Sequence, residues 1–433
     1  MLDCSCRGSR SSIGIHDLHR LRLAEGPPAL AKINHVIGSY GSATYTGGGT
    51  NSPIRTVGGA YYIVYVDPDS DLVYTKSTNG TTWGVPILLY TGTVTSIATW
   101  YDRWSDISAG LIHIAWSESG TDDTHYRTID TANSDALSND VVIFAGSSTL
   151  SGGALSITRS RGGNVYCKTM IDAGSEGTFK KLANADVPNG AWSAALTEPE
   201  AIATTDQWIL VPGFAADNND IICIFWDASA DEISRYVYDD SGNSWAETSI
   251  ATTMVDVAAS TSYTHFAAAV DLTNSQILVV AWNGVDTANQ DLLGWTVTES
   301  AITAFATTPV LNATDDCGFA GIGIDTDTQD WYVFYGGSSD GSQTYNSAIS
   351  FNYKKSTDDG ATWGGQTDAA ISGIQAAGDL VPGSITMMLT CPRFATKQIF
   401  VWGTTSFMYA TVDEPAGGAA SGGAHVVGGT VVR

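Results

Sequence analysis

The chain is poor in positive charge: 20 Lys and Arg stand against 45 Asp and Glu, a formal net charge of -25 at pH 7. That shortage argues against a nucleic-acid partner, because phosphate binding needs a basic face that releases counterions. It argues equally against an anionic membrane surface. Long apolar runs are missing too. None approaches the ~20 residues needed to span a bilayer, so a soluble protein is expected. The first 26 residues carry arginines but no apolar h-region with a small-residue cleavage site, so no Sec signal is expected. Lys and Glu are scarce beside Gly, Thr, Ser, Ala and Asp, a mix that builds strands and turns rather than long helices. Cysteine is sparse: six in 433 residues do not make a disulfide framework. Cys167, Cys223, Cys317 and Cys391 read as buried free thiols. Cys4 and Cys6, near His16, His19 and His35, have spacing too irregular to define a metal site.

What is present is enough apolar material to fold, 43% of the chain, arranged as a repeat. Aromatic-rich runs recur as YYIVYV (61–66), LIHIAW (111–116), NVYCKTM (164–170), IICIFW (221–226), QILVVAW (276–282), WYVFY (331–335) and QIFVWG (398–403). An apolar strand usually precedes each run across a polar turn, as in FAAAVDLTNSQILVVAW, and a third and a shorter fourth strand follow. The pattern predicts an all-β propeller, seven four-stranded blades over residues 36–413, with six as the alternative because the third unit matches worst. Closure is expected from a strand near 34–46 or from the tail. Residues 1–35 form an N-terminal arm with five basic and three acidic residues, leaving about -27 on the remainder, and 414–433 form a Gly-rich tail.

One stretch, KKSTDDGATWGG, carries the pattern S-x-D-x-G-x-T-W at Ser356, Asp358, Gly360, Thr362 and Trp363. Partial copies stand at Asp240, Gly242, Ser244 and Trp245, and at Ser77, Gly80, Thr82 and Trp83. The pattern resembles the Asp-box of sialidase-like propellers. That resemblance implies a structural hairpin clasp on the rim, away from the ligand face, with Gly at a positive φ and the Trp packed between sheets.

The resemblance also implies what a sialidase-type enzyme would need: three convergent arginines, a Tyr-Glu pair and an Asp acid. Arg55, Arg103, Arg127, Arg159, Arg161, Arg235 and Arg393 are the propeller candidates, and none of its glutamates sits in a matching motif. The family's Arg-Ile-Pro signature is missing, so no catalytic residue is assigned. Ligand contact is placed instead on TWYDRWSD. There Trp100, Tyr101 and Trp104 would stack on sugar rings while Asp102, Arg103 and Asp106 bond hydroxyls; inter-blade packing is the competing reading. Alternating carboxylates at Asp67, Asp69 and Asp71, and at Asp325, Asp327 and Asp330, have a Ca2+-loop look without the EF-hand glycine and distal Glu. Both fall at expected turns, so no cofactor is expected, with Ca2+ there as the alternative.

The expected function is a non-enzymatic virion protein. It would be a tail, fibre or capsid-surface propeller, multi-copy or homo-oligomeric, that decorates the particle or binds host-surface glycans. Its arm and tail would contact other virion proteins. The alternatives are an exo-acting sialidase-like glycoside hydrolase and a secreted, extracellular carbohydrate-binding propeller.

Overall fold

The computed structural model describes residues 34–39, 53–101, 110–146, 155–169, 178–184, 187–200, 206–252, 254, 266–282, 292–309, 318–336, 351–368, 387–395, 397–403 and 407–413. Among them the regular structure is entirely β, and no helix is long and apolar enough to cross a membrane. The strands gather into antiparallel sheets arranged as a propeller, most of them from strands consecutive in sequence.

Six blades follow one another along the chain. Blade 1 is Ile54–Arg55, Tyr61–Val66, Leu72–Ser77 and Ile87–Tyr90. Blade 2 is Val94–Tyr101, Leu111–Glu118, Thr124–Asp130 and Val141–Phe144, with Ala136–Leu137 also on its third strand. Blade 3 has Ser156–Arg159, Val165–Lys168 and Phe179–Leu182. Blade 4 is Gln207–Pro212, Ile221–Asp227, Glu232–Asp239 and Ser244–Thr252. Blade 5 is Phe266–Asp271, Gln276–Trp282, Leu292–Val297 and Ile302–Ala304. Blade 6 is Gly318–Asp325, Trp331–Gly336, Phe351–Ser356 and Thr367–Asp368, with Arg393–Phe394 added in parallel to its first strand.

The remaining strands join the two ends of the described chain. Asn34–Ser39 pairs with Phe407–Asp413, which pairs with Gln398–Gly403 and then Met387–Thr390. Closure therefore uses the N-terminal strand, which begins at Asn34, inside what the sequence assigns to the arm. The expectation of seven uniform four-stranded blades is corrected. Six blades of three to five strands run in order, and the seventh apolar run enters this end-joining sheet. Among the described residues blade 3 has three strands, and residues 193–196 cover its outer edge irregularly, with Ser193 N–H on Lys181 O and Leu196 N–H on Phe179 O.

Burial falls from the first two strands of each blade outward, which explains the residue types. All six residues of Tyr61–Val66 and of Phe266–Asp271 are buried, whereas Ser244–Thr252 is largely exposed. First strands of successive blades meet around the ring, Val94–Tyr101 with Ser156–Arg159 and that with Gln207–Pro212. Strands covered on both faces read as continuous apolar runs rather than alternating ones. Each such Ile, Leu or Val contributes about 1.5–3 kcal/mol. The cores lie between blades: Tyr62, Ile97, Ile114 and Trp116 join blades 1 and 2, and Tyr166, Trp208, Phe225 and Tyr238 join blades 3 and 4. Cys167, Cys223 and Cys391 are buried free thiols.

Candidate functional site

The clasp of blade 6 forms around two acceptors. Ser356 Oγ receives the Gly360 N–H at 2.9 Å and donates to Asp358 Oδ1, also at 2.9 Å. Asp358 receives the Thr362 N–H at 2.8 Å and its hydroxyl at 2.6 Å. Those bonds, the Thr362 hydroxyl foremost, hold the Asp358 carboxyl below the usual carboxylate range. Gly360 has φ +79°, and a Cβ there would stand 3.0 Å from the Trp331 ring, so both backbone and space favour glycine. Trp363 then crosses to blade 5, donating to Thr307 O at 3.0 Å and packing on Phe305.

The partial copies differ. In blade 1, Asn79 supplies the acceptor, receiving the N–H groups of Thr81 and Thr82, while Ser77 Oγ receives that of Gly80 (φ +76°). Trp83 donates to Gly80 O within its own turn. In blade 4, Asp240 is not the turn acceptor. Asp239 takes the N–H groups of Ser241 and Gly242, and Asn243 rather than Gly242 has the positive φ. Asp240 faces blade 3, accepting from Tyr166 Oη and Lys181 Nζ. Trp245 bridges to Thr197 O at 2.7 Å.

Trp100 and Tyr101 are 6% and 7% exposed and belong to inter-blade cores, with the Tyr101 hydroxyl receiving the Val57 N–H. Asp102, Arg103, Trp104 and Asp106 lie outside the described residues, as do Cys4, Cys6, His16, His19 and Cys317. The proposed calcium turns are closed by their own carboxylates. Asp67 Oδ1 receives the N–H groups of Asp69 and Asp71, Asp325 Oδ1 receives that of Asp327, and Asp330 pairs with Lys355.

The arginines with described bonds brace the ring. Arg127 donates to Leu89 O in blade 1, Arg161 to Phe214 O at the edge of blade 4, and Arg235 to Thr298 O beyond the third strand of blade 5. Arg159 bonds Gly163 O and Asn184 within blade 3. These four are distributed over three blades and do not form a triad. A Tyr-Glu pair does exist: Tyr236 Oη donates to Glu200 Oε2 at 2.8 Å. Burial first, then that bond and the charges of Glu200 and Glu247, push the Tyr236 hydroxyl far up. The phenol is 2% exposed in the blade 3–4 core.

A different group converges at the outer joint of blades 1 and 2. Glu118 ends the second strand of blade 2, and His125 is the second residue of the third; Trp116 pairs with His125, and Glu118 N–H bonds Asp123 O. Two-residue alternation puts Trp116, Glu118, Asp123 and His125 on one face. One ligand atom each from Glu118, Asp123 and His125 lies within 4.8 Å of the others. Glu118 is 3% exposed. Burial pushes its carboxyl up, but the Thr121 hydroxyl and N–H and the Gly120 N–H outweigh it and hold the pKa below the usual range. Asp123 Oδ1 receives the Gly146 N–H at 2.8 Å. The His125 ring lies against Trp116, nearly parallel at 5.3 Å, and against Tyr90 of blade 1 at 4.9 Å. Its Nδ1 bonds Asp140 Oδ1 at 2.9 Å, while its Nε2 is buried with no hydrogen-bond partner. Burial first, then the charges of Glu118, Asp140 and Asp123, raise the Tyr90 hydroxyl above its usual range. Sequence reading missed this group because its members are spaced irregularly; the one available signal was two acids and a His flanking a short strand-turn-strand.

No family model and no curated relative matches the sequence. Among solved structures the chain is similar to an ulvan lyase described as a new family of polysaccharide lyase. That likeness has TM-score 0.53 and 10% identity, covering 87% of this chain and 95% of that one. Looser likenesses are AofleA from Arthrobotrys oligospora (TM-score 0.43, 12% identity, 78% and 90% covered) and a Hadza microbial sialidase (TM-score 0.40, 10% identity, 87% and 66% covered). The lyase likeness agrees with the sheet arrangement and places the chain among all-β propellers.

Proposed function

We propose that this chain is a glycan-recognising propeller that does not turn its ligand over, carried in several copies on a viral particle. The observation that carries the recognition reading is the end of blade 2's first strand. Trp100 and Tyr101, packed in the inter-blade cores, anchor a segment whose next residues, Asp102, Arg103, Trp104 and Asp106, mix aromatic and charged groups as sugar-binding surfaces do. Support for binding without turnover comes from the bracing arginines and the core-bound Tyr236. The similar ulvan lyase is a polysaccharide lyase, which fits a glycan ligand here. The clasps at Ser356–Trp363 and Ser77–Trp83 are read as Asp-boxes of the sialidase-like kind. The virion role rests on the opposite charge of the basic arm and the acidic remainder in the sequence, a complementarity suited to docking on a neighbouring subunit.

A glycan array combined with an aryl-glycoside panel tests the reading. Binding that is lost in Trp104→Ala, without product release, is expected; product release favours the exo-acting hydrolase, with Tyr236–Glu200 as its starting point, and no binding removes recognition altogether. Charge reversal of Arg7, Arg10, Arg20 and Arg22 should convert a multi-copy assembly to monomer in light scattering. A wild-type monomer would remove the assembly role.

A further inference from the structure

We propose that Glu118, Asp123 and His125 bind one divalent first-row cation of the Zn2+ kind, with Asp140 holding the imidazole from behind. The inference is independent of the glycan reading. Three features point to an ion rather than to a turn that happens to be acidic.

The first is the unused nitrogen. The Asp140 carboxylate on Nδ1 fixes the tautomer in which Nδ1 carries the proton and Nε2 offers a lone pair. Nε2 is buried with no hydrogen-bond partner, and a ring nitrogen of His125 lies within 4.8 Å of one oxygen each of Glu118 and Asp123. An unpaired buried acceptor is costly, and two carboxylates beside it supply no proton. A cation satisfies all three at once. A carboxylate-histidine pair behind a metal is also the arrangement that orients a ligating imidazole.

The second is charge. Glu118, Asp123 and Asp140 form no pair with a Lys or Arg among the described residues, whereas Asp135, Glu198, Asp240 and Asp330 each pair with a lysine. Each cluster carboxylate keeps lone pairs: Glu118 Oε2 receives only the Gly120 N–H, and Asp123 only that of Gly146. Gly120 is held to a bare backbone, since a Cβ there would stand 2.8 Å from Glu118 Oε2.

The third is donor chemistry. Ca2+ and Mg2+ take all-oxygen shells, whereas imidazole with carboxylates suits first-row ions. Three protein ligands leave a fourth tetrahedral position for water or for an oxygen of an exogenous ligand. Such an ion would tie the second hairpin of blade 2 to its outer strand through the Asp123–Gly146 bond.

Calorimetric titration of the full chain, stripped of metal and carrying Cys4→Ser and Cys6→Ser so that thiols do not compete, tests this with ZnCl2 and with CaCl2 as comparator. One saturable Zn2+ site with weaker or no Ca2+ binding is expected. Asp140→Asn should weaken it by about ten- to a hundredfold, and Asp123→Asn by at least about tenfold. Asp358→Asn, in the blade 6 clasp, should leave it unchanged. Should His125→Gln not fold, as shown by its circular dichroism, the exposed-side variant Asp123→Asn decides. Absence of a saturable Zn2+ site, or Asp123→Asn titrating like the parent, overturns the proposal. A site lost only in Asp358→Asn overturns it as well.

Discussion

In the hairpin of blade 6, Asp358 is bonded by Thr362 and Ser356, and Trp363 reaches over to blade 5. In the hairpin of blade 2, Glu118 closes its turn in a similar way on Gly120 and Thr121, but behind it stand Asp123 and a His125 nitrogen with nothing to bond. The two turns use the same chemistry of a carboxylate accepting backbone N–H groups. They differ in what remains afterwards. At Asp358 the bonds complete an architectural clasp; at Glu118 they position a carboxylate beside two further ligand atoms. An acidic hairpin is therefore judged by the lone pairs its turn leaves over, not by how many acids it shows.

The largest expected effect breaks the architectural side. Trp363→Ala removes the bridge to Thr307 and the contact with Phe305, and should lower stability by about 2–4 kcal/mol, measured by urea denaturation. Glu118→Gln is next, about 1–3 kcal/mol, because a partly satisfied buried acceptor set loses its charge-assisted bonds. Its pH dependence sharpens the point. A carboxyl held below its unfolded pKa stabilises the fold above that value and loses the contribution as pH falls through the folded pKa. The gap between parent and Glu118→Gln should thus close below about pH 4 in melting curves. Trp83→Ala should cost only about 1 kcal/mol, since its indole N–H bonds Gly80 O within its own turn and does not bridge to another blade. Smallest is Asp358→Asn, whose exposed carboxylate retains an amide oxygen for Thr362. A slight loss in melting temperature is expected above about pH 4, fading as pH falls further. If Trp83→Ala proved as damaging as Trp363→Ala, the bridging role of the latter would be lost.

Much of the ring was legible. Runs such as YYIVYV and IICIFW fell on strands buried on both faces, because a strand with no solvent side needs no polar alternation. The S-x-D-x-G-x-T-W spacing gave the blade 6 turn residue by residue, since every group in it bonds locally. Non-local features were harder to read. A strand near 34–46 is one of two closing strands the sequence offers, but the choice between them and the pairing with Phe407–Asp413 are carried by no local pattern. The exchange of Asp239 for Asp240 turns on which carboxylate faces the neighbouring blade, where Tyr166 and Lys181 wait. Trp100 and Tyr101 looked like a sugar platform, yet aromatic rings on an inner strand serve the inter-blade core. The Glu118, Asp123 and His125 group is assembled by strand register together with Asp140 and Gly146, which flank the outer strand Val141–Phe144, so its meaning appears only once the sheet is folded.

The contrast between the two hairpins is tested most directly by anomalous diffraction at the zinc edge from crystals soaked in ZnCl2. The account predicts a peak about 2.0–2.2 Å from oxygens of Glu118 and Asp123 and from His125 Nε2, and none at the Ser356–Trp363 turn. An empty blade 2 cluster, or a peak on Asp358, would contradict it.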